Sequence, residues 1–548
     1  MLKPEHDHTI PEETREVAEA AFPKGTVLMR LRDELGPIIT DKEFQDLYPS
    51  LGQPAESPAR LALVSLLQFM ENLTDRQAAD AVRGRIDWKY MLGLGLSDPG
   101  FHYSVLSEFR QRLVSGGREQ VLLDRLLERC QSLGLLKGKS KQRTDSTHVV
   151  AAVRGLSLLE LAGESMRHAL NELAQLEPGW LQGIIQPEWV KRYGRRFDSS
   201  RLPKSTARRE ALALEIGADG FALLEAAWQS DAPASVRACQ ALRTLQRVWL
   251  QQYYREDDKI EWRTKKNRGQ PPARSMISSP HDQEIRYCVK GTTRWTGYKV
   301  HLTETCAAGH PRLITHVATT ASTRHDVKMT RTIQAALEAR DMKPDVQLVD
   351  EGYREIDLLV SSQENGIDLV GPVPSSKSWQ DRTPGALDHS QFQIDWENQT
   401  ATCPAGKTAQ RFATRKTWRG TPNWTITFNK QACFACALRS RCSRSRHSGR
   451  TLTVYPQKTY EAQAAARRRQ ETEAFKQLYG ERAGIEGTIS QGVRRLGLRQ
   501  TRYIGLPRTQ LQHTATAAAI NLFRIFDWLV GTRSSGTPMT PFLALAAG

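Results

Sequence analysis

The sequence lacks a hydrophobic run long enough to cross a membrane. Its longest apolar stretch, Leu61 to Met70, is interrupted by Ser65 and Gln68, whereas a membrane-spanning helix needs about 20 mostly apolar residues. The first residues, Met-Leu-Lys-Pro-Glu-His-Asp-His, contain no apolar core of the kind that a signal peptide requires. These absences predict a chain that stays in the cytosol.

Cysteine is scarce as well, with 8 residues among 548, which is too few for a disulfide framework in so long a chain. Four of these cysteines are scattered, and we interpret them as small apolar fillers: Cys130, Cys239, Cys288 and Cys306.

The other four cysteines lie closer together in the sequence. Cys433-Phe-Ala-Cys436 is followed by Cys442, and Cys403 lies upstream. In a cytosolic protein such a group predicts a structural zinc site. Reduced thiols without a metal, or a redox pair, are the alternatives.

Acidic residues are few relative to basic ones. The chain has 60 Asp and Glu residues against 77 Lys and Arg residues, which gives a formal net charge of +17. A merely soluble basic protein is one reading of this excess. A polyanionic partner is the better reading, and its binding would weaken steeply with salt.

At 548 residues the chain is too long for one hydrophobic core, so several domains are expected. Changes of hydrophobic period and composition divide it into segments. These are a helical N-terminal domain (1–135), a first core strand with Asp145 (136–155), a helical insertion with a basic loop (156–282), a core with Asp350 (283–373), a polar insertion with the cysteine group (374–470), C-terminal core helices with Glu486 (471–530) and a flexible tail (531–548).

Within the N-terminal domain, short helices joined by tight turns are predicted. Thr74-Asp-Arg-Gln77 predicts a capping box that starts a helix running towards Trp88. This pattern suggests a helix-turn-helix-like DNA-binding module as much as a plain helical bundle. The basic side chains expected on its surface are Arg83, Arg85, Lys89, Arg110 and Arg112.

Further along, the pattern alternates between helices and strands. An amphipathic helix is predicted for Ala234 to Tyr254, and from Ile285 to Val373 the order is β-β-β-α-β-α-β. Such an order predicts a mixed sheet with helices packed against it. Together with the helical N-terminal domain and the two insertions, it indicates a multidomain α/β fold.

Three carboxylates suit chemistry on a phosphodiester. Asp145 lies on a predicted strand, Asp350 ends another, and Glu486 lies on a helix predicted from Glu471 to Val493. Taken singly, each is most often a surface group. Gathered together, three carboxylates repel one another and need cations. Two Mg²⁺ ions about 4 Å apart would resolve the repulsion and clamp the attacking and leaving oxygens of a displacement.

Motifs along most of the chain carry a family resemblance. They are Leu73-Thr-Asp-Arg-Gln-Ala-Ala, Ser104-Val-Leu-Ser-Glu-Phe-Arg, Thr144-Asp-Ser-Thr-His, Gly297-Tyr-Lys-Val-His, Val349-Asp-Glu-Gly-Tyr, Arg482-Ala-Gly-Ile-Glu-Gly-Thr-Ile and Arg502-Tyr-Ile-Gly-Leu. In these stretches the chain resembles a DDE transposase of a bacterial insertion sequence. The relevant group has an RNase H-like catalytic core after a helical N-terminal domain.

The resemblance implies roles for individual residues. Asp145, Asp350 and Glu486 would be the catalytic triad and would bind two Mg²⁺ or Mn²⁺ ions. Tyr479 and Arg482, with Glu486, match the first three positions of a Tyr-Arg-Glu-Lys signature.

The lysine of that signature is absent, since Val493 occupies its position and two arginines follow. An arginine does not reproduce the geometry of a lysine at a phosphate. The residues expected to bind DNA are Tyr479, Arg482, Arg494, Arg495 and Lys299.

The resemblance also implies an activity, which is metal-dependent cleavage of DNA at transposon ends followed by strand transfer into target DNA. The partners implied are the terminal repeats, the target DNA and further copies of the chain, as a homodimer or larger assembly on DNA. A cytoplasmic, nucleoid-associated bacterial protein is expected. A nuclease without strand transfer and a catalytically silent DNA-binding regulator are the alternatives.

Overall fold

The computed structural model describes residues 1–2, 9–264, 267–373, 378–409, 412–416, 422–532 and 545. Most of the predicted tail (531–548), together with Lys265 and Lys266 of the basic loop, lies outside the described residues. The chain divides into two units. The first unit consists of Met1–Gly138, Asp145–Arg324 and Ile485–Gly548, and the second of Lys139–Thr144 and His325–Gly484. In the described part, no helix combines the length and the apolar content needed to cross a bilayer.

Helices open the first unit, as its hydrophobic period predicts. They are α1 (Glu12–Ala21), α2 (Val27–Leu35), α3 (Pro58–Met70), α4 (Asp75–Gly84), α5 (Ile86–Leu92), α6 (Ser104–Ser115) and α7 (Val121–Ser132). The capping box predicted at the start of α4 is confirmed. Gln77 N donates to Thr74 Oγ1 at 3.3 Å, and Thr74 N donates to Gln77 Oε1 at 2.9 Å.

The predicted helix towards Trp88 is wrong beyond Gly84. There α4 ends, Arg85 is extended with φ −104° and ψ 124°, and α5 starts at Ile86. Glycine is about 1 kcal/mol poorer than alanine in a helix interior. The break also lets the Arg85 guanidinium form an ion pair with Asp87 at 2.7 Å.

Two of the basic side chains expected on this surface are buried instead. Lys89 is 3 % exposed, and its ammonium donates to the carbonyl of Asp98 at 2.7 Å. Arg110 is 9 % exposed and pairs with Asp75 at 2.5 Å. Both cations neutralise polar groups inside the helical domain, so the DNA-facing surface predicted for this domain loses two of its five members.

After β1 (Gln142–Val150) a helical insertion follows, as predicted. Its elements are α8 (Leu158–Leu176), α9 (Pro178–Ile184), α10 (Pro187–Tyr193), α11 (Thr206–Ala227), α12 (Ala234–Ala238), α13 (Gln240–Gln252), β2 (Tyr253–Glu256) and β3 (Lys259–Trp262). The single helix expected for Ala234 to Tyr254 is divided at Cys239 into α12 and α13, and α13 stops at Gln252 because β2 starts at Tyr253. Asp257 and Asp258 have φ values of 48° and 59°, which suit a two-residue hairpin turn.

The sheet of the first unit contains β1, β4 (Arg286–Lys290), β5 (Thr293–Thr305) and β6 (Ile314–Ala321). Strand β5 pairs antiparallel with β4 and with β6 and is also the neighbour of β1. Gly297 on β5 has φ 155°, and a Cβ there would lie 2.2 Å from the carbonyl oxygen of Val149 on β1. Only glycine permits this close approach of the two strands.

Two helices complete the first unit. Helix α21 (Gly484–Leu496) carries Glu486, and α22 (Leu506–Leu529) is the buried, alanine-rich helix that the sequence predicts. Helix α22 packs against β6 and against α3 and α7. It therefore joins the sheet to the N-terminal helices within one hydrophobic core.

The first three residues of β1 belong to the second unit. Gln142, Arg143 and Thr144 pair in parallel with β7 (Val346–Val349), which pairs in parallel with β8 (Asp368–Val370). Helices α14 (Thr330–Glu338) and α15 (Ile356–Glu364) alternate with these strands. The predicted order β-β-β-α-β-α-β is confirmed, and the parallel and antiparallel pairs together make the sheet mixed.

The cysteine-bearing segment of the second unit consists of small elements. They are α16 (Trp379–Arg382), β9 (Gln393–Asp395), β10 (Thr400–Thr402), β11 (Thr408–Ala409), β12 (Phe412–Lys416), β13 (Pro422–Thr427), α17 (Lys430–Phe434), α18 (Arg439–Cys442), β14 (Thr451–Val454), α19 (Gln457–Gln470) and α20 (Glu473–Gly480). Sheets β9–β11 and β12–β14 enclose a core that includes Phe392, Ile426 and Phe428. The segment predicted as a polar insertion thus buries apolar side chains of its own.

Candidate active site

Asp145 lies on β1, where the strand enters the first unit. Asp145 is 8 % exposed, and its Oδ1 accepts a hydrogen bond from the backbone N–H of Ser146 at 2.7 Å. The end of β1 is extended by a short backbone pairing, because Val150 N donates to Arg499 O at 2.7 Å and Thr501 N donates to Val150 O at 3.1 Å. This pairing holds the segment after α21 alongside the strand that carries the acid.

Glu486 lies on α21, and a buried network fixes the opposite side of that helix. Glu304 of β5 is fully buried, accepts the Thr488 hydroxyl at 2.5 Å and pairs with Arg524 of α22 at 2.6 Å. Arg524 also donates to the Gln491 side chain at 3.2 Å. Because Thr488 is two positions after Glu486 in a 3.6-residue period, its anchoring towards the core directs Glu486 away from it.

Asp145 and Glu486 line the same cavity, of about 500 Å³. We call it the acid cavity. Its walls come from β1, from one face of α21 and from the segment after that helix. The lining residues are Asp145, Ser146, Thr147, Glu486, Ile489, Ser490, Val493, Arg494 and Arg499. Two acidic residues and two arginines therefore line one open space.

The two arginines of the acid cavity differ in their contacts. Arg494, which the sequence predicted to bind DNA, is exposed and makes no hydrogen bond or ion pair within the described part of the chain. Arg499 donates from Nε to Thr147 Oγ1 at 2.8 Å. A charged donor lining a cavity, with few protein partners, suits an anionic ligand such as a phosphate.

Sequence reasoning missed Arg499 as an individual residue. It belongs to a run of six arginines from Arg482 to Arg508, and nothing in the local sequence distinguishes it from the others. Its place beside Thr147 depends on the pairing between the chain after α21 and the end of β1. No local pattern encodes a backbone pairing between segments so distant in sequence.

Other arginines of that run have different surroundings. Arg502 donates to the carbonyl oxygen of Leu73 at 2.8 Å and so binds the N-terminal helical domain. The guanidinium of Arg495, a predicted DNA contact, lies 4.2 Å from the ring centroid of Phe523. Arg495 is nevertheless exposed.

Asp350 belongs to the second unit and follows β7 directly, one position beyond the strand end at which it was predicted. Its Oδ1 accepts the backbone N–H of Tyr353 at 3.3 Å and thereby caps the short turn that follows the strand. A Cβ on Gly352 would lie 3.2 Å from Asp350 Oδ1 and 3.3 Å from Asp326 Oδ2. Asp326, which the sequence analysis did not single out, therefore presents its carboxylate to the same point as Asp350.

The helix predicted from Glu471 to Val493 is interrupted. Helix α20 ends at Gly480, Glu481–Ala483 form a 3₁₀ turn, and α21 begins at Gly484. A Cβ at Gly484 would lie 2.0 Å from Arg143 Nη1, and Arg143 donates to the carbonyl oxygen of Glu481. The glycine gives room to the Arg143 side chain, which binds a carbonyl that a continuous helix would use internally.

This break changes the predicted line of Tyr479, Arg482 and Glu486. Arg482 lies on the 3₁₀ turn, where side chains repeat every three residues, so the three do not follow one α-helical period. Tyr479 stacks on Phe475 with ring centroids 5.7 Å apart. Both Tyr479 and Arg482 fall in the second unit, and their predicted contact with DNA stays a prediction.

Lys299, another predicted DNA contact, lies on β5 in the first unit. It is 8 % exposed, and its Nζ donates to the carbonyl oxygen of Arg324 at 2.9 Å. An ammonium held in this way has a fixed position at the sheet surface.

The grouped cysteines lie in one neighbourhood of the second unit. Cys403, Cys433 and Cys442 pack against the small core of that segment. The backbone N–H of Lys407 donates to the sulfur of Cys403 at 3.4 Å, and that of Arg450 donates to the sulfur of Cys433 at 3.4 Å. Burial raises the pKa of the Cys442 thiol, and the neighbouring Cys433, Cys403 and Cys436 raise it further, against the lowering effect of Arg450.

Within the described residues, no group of three or more His, Cys, Asp or Glu side chains is arranged to hold a metal ion. As placed here, the four cysteine sulfurs do not form such a group. For the acid cavity, the finding is compatible with magnesium, which proteins usually bind through one or two carboxylates while substrate phosphates and water complete the shell. Asp145 and Glu486 supply hard oxygen ligands of that kind.

Comparison with known families gives two matches. Residues 402–526 match the family described as Transposase DDE domain, and residues 16–112 match the family described as Transposase domain (DUF772). Glu486 and the grouped cysteines fall within the first match, whereas Asp145 and Asp350 lie between the two. No curated protein matches the chain.

Proposed function

We propose that this chain, whose two transposase-domain matches support a DDE transposase of an insertion sequence, cuts DNA at the ends of its element and joins them to target DNA. The reaction would be a metal-dependent phosphoryl transfer. An RNase H-like core would carry it out, with copies of the chain paired on two DNA ends.

One observation carries this proposal. Asp145 and Glu486, distant in sequence, line one cavity together with Arg494 and Arg499. Carboxylates bind hard divalent cations, and guanidinium groups bind phosphate oxygens. A cavity that offers both suits a phosphodiester and the ions that neutralise it, and few other ligand classes require that combination.

Each residue would have a definite task. Asp145 and Glu486 would hold Mg²⁺ or Mn²⁺, together with Asp350, the third acid that the resemblance assigns. Arg494 and Arg499 would bind and orient the phosphodiester, in place of the lysine that the signature lacks. When bound, the ions supply activation of the attacking hydroxyl and stabilisation of the leaving oxygen. No protein nucleophile is needed, because such transfer depends on positioning and charge neutralisation.

The test uses DNA that flanks the gene encoding this chain, incubated with the purified protein and Mg²⁺. Nicked ends together with joined products support a transposase. Nicks without joined products indicate a nuclease, and binding without breakage indicates a DNA-binding regulator. No binding to these flanks above that to unrelated DNA contradicts the proposal.

Substitution of Asp350 tests the third acid. Asp350→Ala should abolish cleavage and leave DNA binding unchanged within about twofold, because it removes a metal ligand and no DNA contact. Alanine also removes the cap on Tyr353 N, which costs about 1 kcal/mol. Asp350→Asn keeps a capping oxygen and loses the charge, so equal loss of cleavage in both variants separates catalysis from folding.

A matched control for these variants is Asp345→Ala, at the other end of β7. Asp345 is exposed, and its Oδ1 accepts the neighbouring backbone N–H of Val346 at 2.8 Å. Wild-type cleavage is expected for this variant. Full cleavage by Asp350→Asn would remove Asp350 from the proposed triad.

We further propose that the grouped cysteines take up a structural zinc ion, as their spacing predicts. The N–H groups directed at Cys403 and Cys433 fit sulfurs that carry negative charge. Metal analysis of the purified chain should find zinc, and Cys433→Ser together with Cys436→Ser should remove it and lower the melting temperature. Cys288→Ser, on β4, is the control. Zinc-free protein with unchanged melting of the double variant would contradict the zinc site.

A further inference from the structure

A second cavity adjoins the acid cavity in the first unit, with a volume of about 190 Å³. We call it the basic cavity. Ser146, Thr147 and Arg499 line both cavities, so the two cavities adjoin and share one wall. The volume lies below the range of about 300–1,000 Å³ that is typical of small-molecule sites.

The lining of the basic cavity is cationic. Lys290 at the end of β4, Lys299 of β5 and Arg499 contribute positive charges, and none of the described residues that line it carries a carboxylate. The acid cavity beside it contains two carboxylates. The formal charge of the lining thus rises from zero in the acid cavity, where Arg494 and Arg499 balance the two carboxylates, to a net positive charge in the basic cavity, which suits an anion.

One polar atom of the shared wall is buried within the protein. The hydroxyl of Ser146 is buried and has no hydrogen-bond partner in the described part of the chain. An unsatisfied buried hydroxyl costs about 1–3 kcal/mol. This hydroxyl is shielded from both cavities, so only the cationic lining favours an anion there.

Two of the cations that line the basic cavity are held in place by hydrogen bonds to the protein. Lys299 Nζ is held by the carbonyl oxygen of Arg324 and Arg499 Nε by Thr147, at 2.9 and 2.8 Å. His148 lies on the same wall and packs against Trp295, with ring centroids 5.5 Å apart. Burial, and then the charge of Arg499, lower the pKa of His148, so that it is neutral at pH 7 and the three cations carry the charge.

We propose that the basic cavity binds a phosphate of the DNA strand that flanks the phosphodiester held in the acid cavity. This inference rests on the proposed function, because it assigns the path of the DNA beyond the reacting group. A strand that crosses the shared wall places its next phosphate among Lys290, Lys299 and Arg499. The contact fixes the register of the strand and thereby determines which phosphodiester meets Asp145 and Glu486.

The test pairs a protein variant with a change in the DNA. The cut site is first mapped with the wild-type protein, and each flanking phosphate is then replaced, one at a time, by a neutral methylphosphonate. Lys290 is exposed at the end of a strand, so Lys290→Gln should fold normally. One neutral position should weaken wild-type binding roughly tenfold, the size of a lost charge-assisted hydrogen bond. The Lys290→Gln variant should bind unmodified DNA roughly tenfold more weakly than the wild type does. The methylphosphonate at that same position should not weaken its binding further.

Two controls accompany the experiment. Arg294→Gln removes a charge from the same hairpin, but side chains alternate along a strand and Arg294 does not line the cavity, unlike Thr293 and Trp295 on either side. In the Arg294→Gln variant, each methylphosphonate should weaken DNA binding as much as it does in the wild type. Lys290→Arg keeps the charge and should restore part of the affinity.

The outcomes separate the inference from the proposed function. If the wild-type protein does not cut flanking DNA, the proposed function fails. If it cuts, and Lys290→Gln responds to every methylphosphonate as wild type does, the basic cavity does not bind the strand. Inorganic phosphate is the remaining source of the anion. The contrary result is that inorganic phosphate competes with DNA for the wild-type protein while every methylphosphonate weakens binding of Lys290→Gln as much as that of the wild type. This result would indicate a site for free phosphate and overturn the assignment to DNA.

Discussion

The Glu486→Gln variant should cut DNA roughly a thousandfold more slowly than the wild-type protein, because a lost metal ligand forfeits several kcal/mol of transition-state stabilisation. Glutamine keeps the size of the side chain, so α21 and its packing should be unchanged. Single-turnover cleavage of end DNA in Mg²⁺ measures the effect. Binding of the same DNA without metal should be equal or slightly tighter, since a negative charge is removed beside the phosphates.

The matched control is Glu481→Gln, five positions earlier. Glu481 pairs with Lys141 at 2.5 Å and is partly exposed. Exposed pairs contribute about 0–1 kcal/mol, so this variant should keep wild-type cleavage. Wild-type rates for Glu486→Gln, or equal losses in the two variants, would contradict the role of Glu486.

Removal of the Glu304 carboxylate should have the largest effect on stability. Glu304 is fully buried, and the Arg524 side chain that it binds is 17 % exposed. The Glu304→Ala variant would leave a mostly buried guanidinium without its carboxylate, at a cost of about 3 kcal/mol. Chemical denaturation followed by tryptophan fluorescence should show the loss. Cleavage should fall as well, because Thr488 loses its anchor and α21 no longer fixes Glu486.

Two further variants test whether the unpaired Arg524 guanidinium causes the loss of stability in Glu304→Ala. A double change of Glu304→Leu with Arg524→Met removes both charges and should recover most of the stability, since apolar replacements of buried pairs are often neutral. Glu16→Ala, on the exposed side of α1, should change the free energy of unfolding by less than about 0.5 kcal/mol. A Glu304→Ala protein as stable as wild type would show that the pair does not anchor α21.

Periodic signals in the sequence were sufficient to place the main elements. The capping box of α4, the burial of α22 and the order of strands and helices around Asp350 are all present. These features follow from local patterns of side chains, namely a period of 3.6 or 2 and a cap at a fixed offset. Local patterns therefore also put Asp145 on a strand and Asp350 at the end of one.

The errors arose where a distant side chain decides the local structure. The helix through Glu486 is broken because Arg143 occupies the space beside Gly484 and binds the Glu481 carbonyl. Arg110 was expected on the surface, but the Asp75 carboxylate draws it inside. Arg499 joins the acid cavity through a pairing with the end of β1. Each of these depends on tertiary contacts, which override local propensity.

Cleavage of DNA with a sulfur in place of a non-bridging oxygen at the cut phosphate tests the central claim most directly. Sulfur is a poor ligand for Mg²⁺ and a better one for softer ions such as Mn²⁺. If metal ions held by Asp145 and Glu486 contact that phosphate, the substitution should slow cleavage in Mg²⁺, and Mn²⁺ should restore it. Cleavage that proceeds equally fast in a chelator, or that ignores the sulfur in Mg²⁺, would contradict the account.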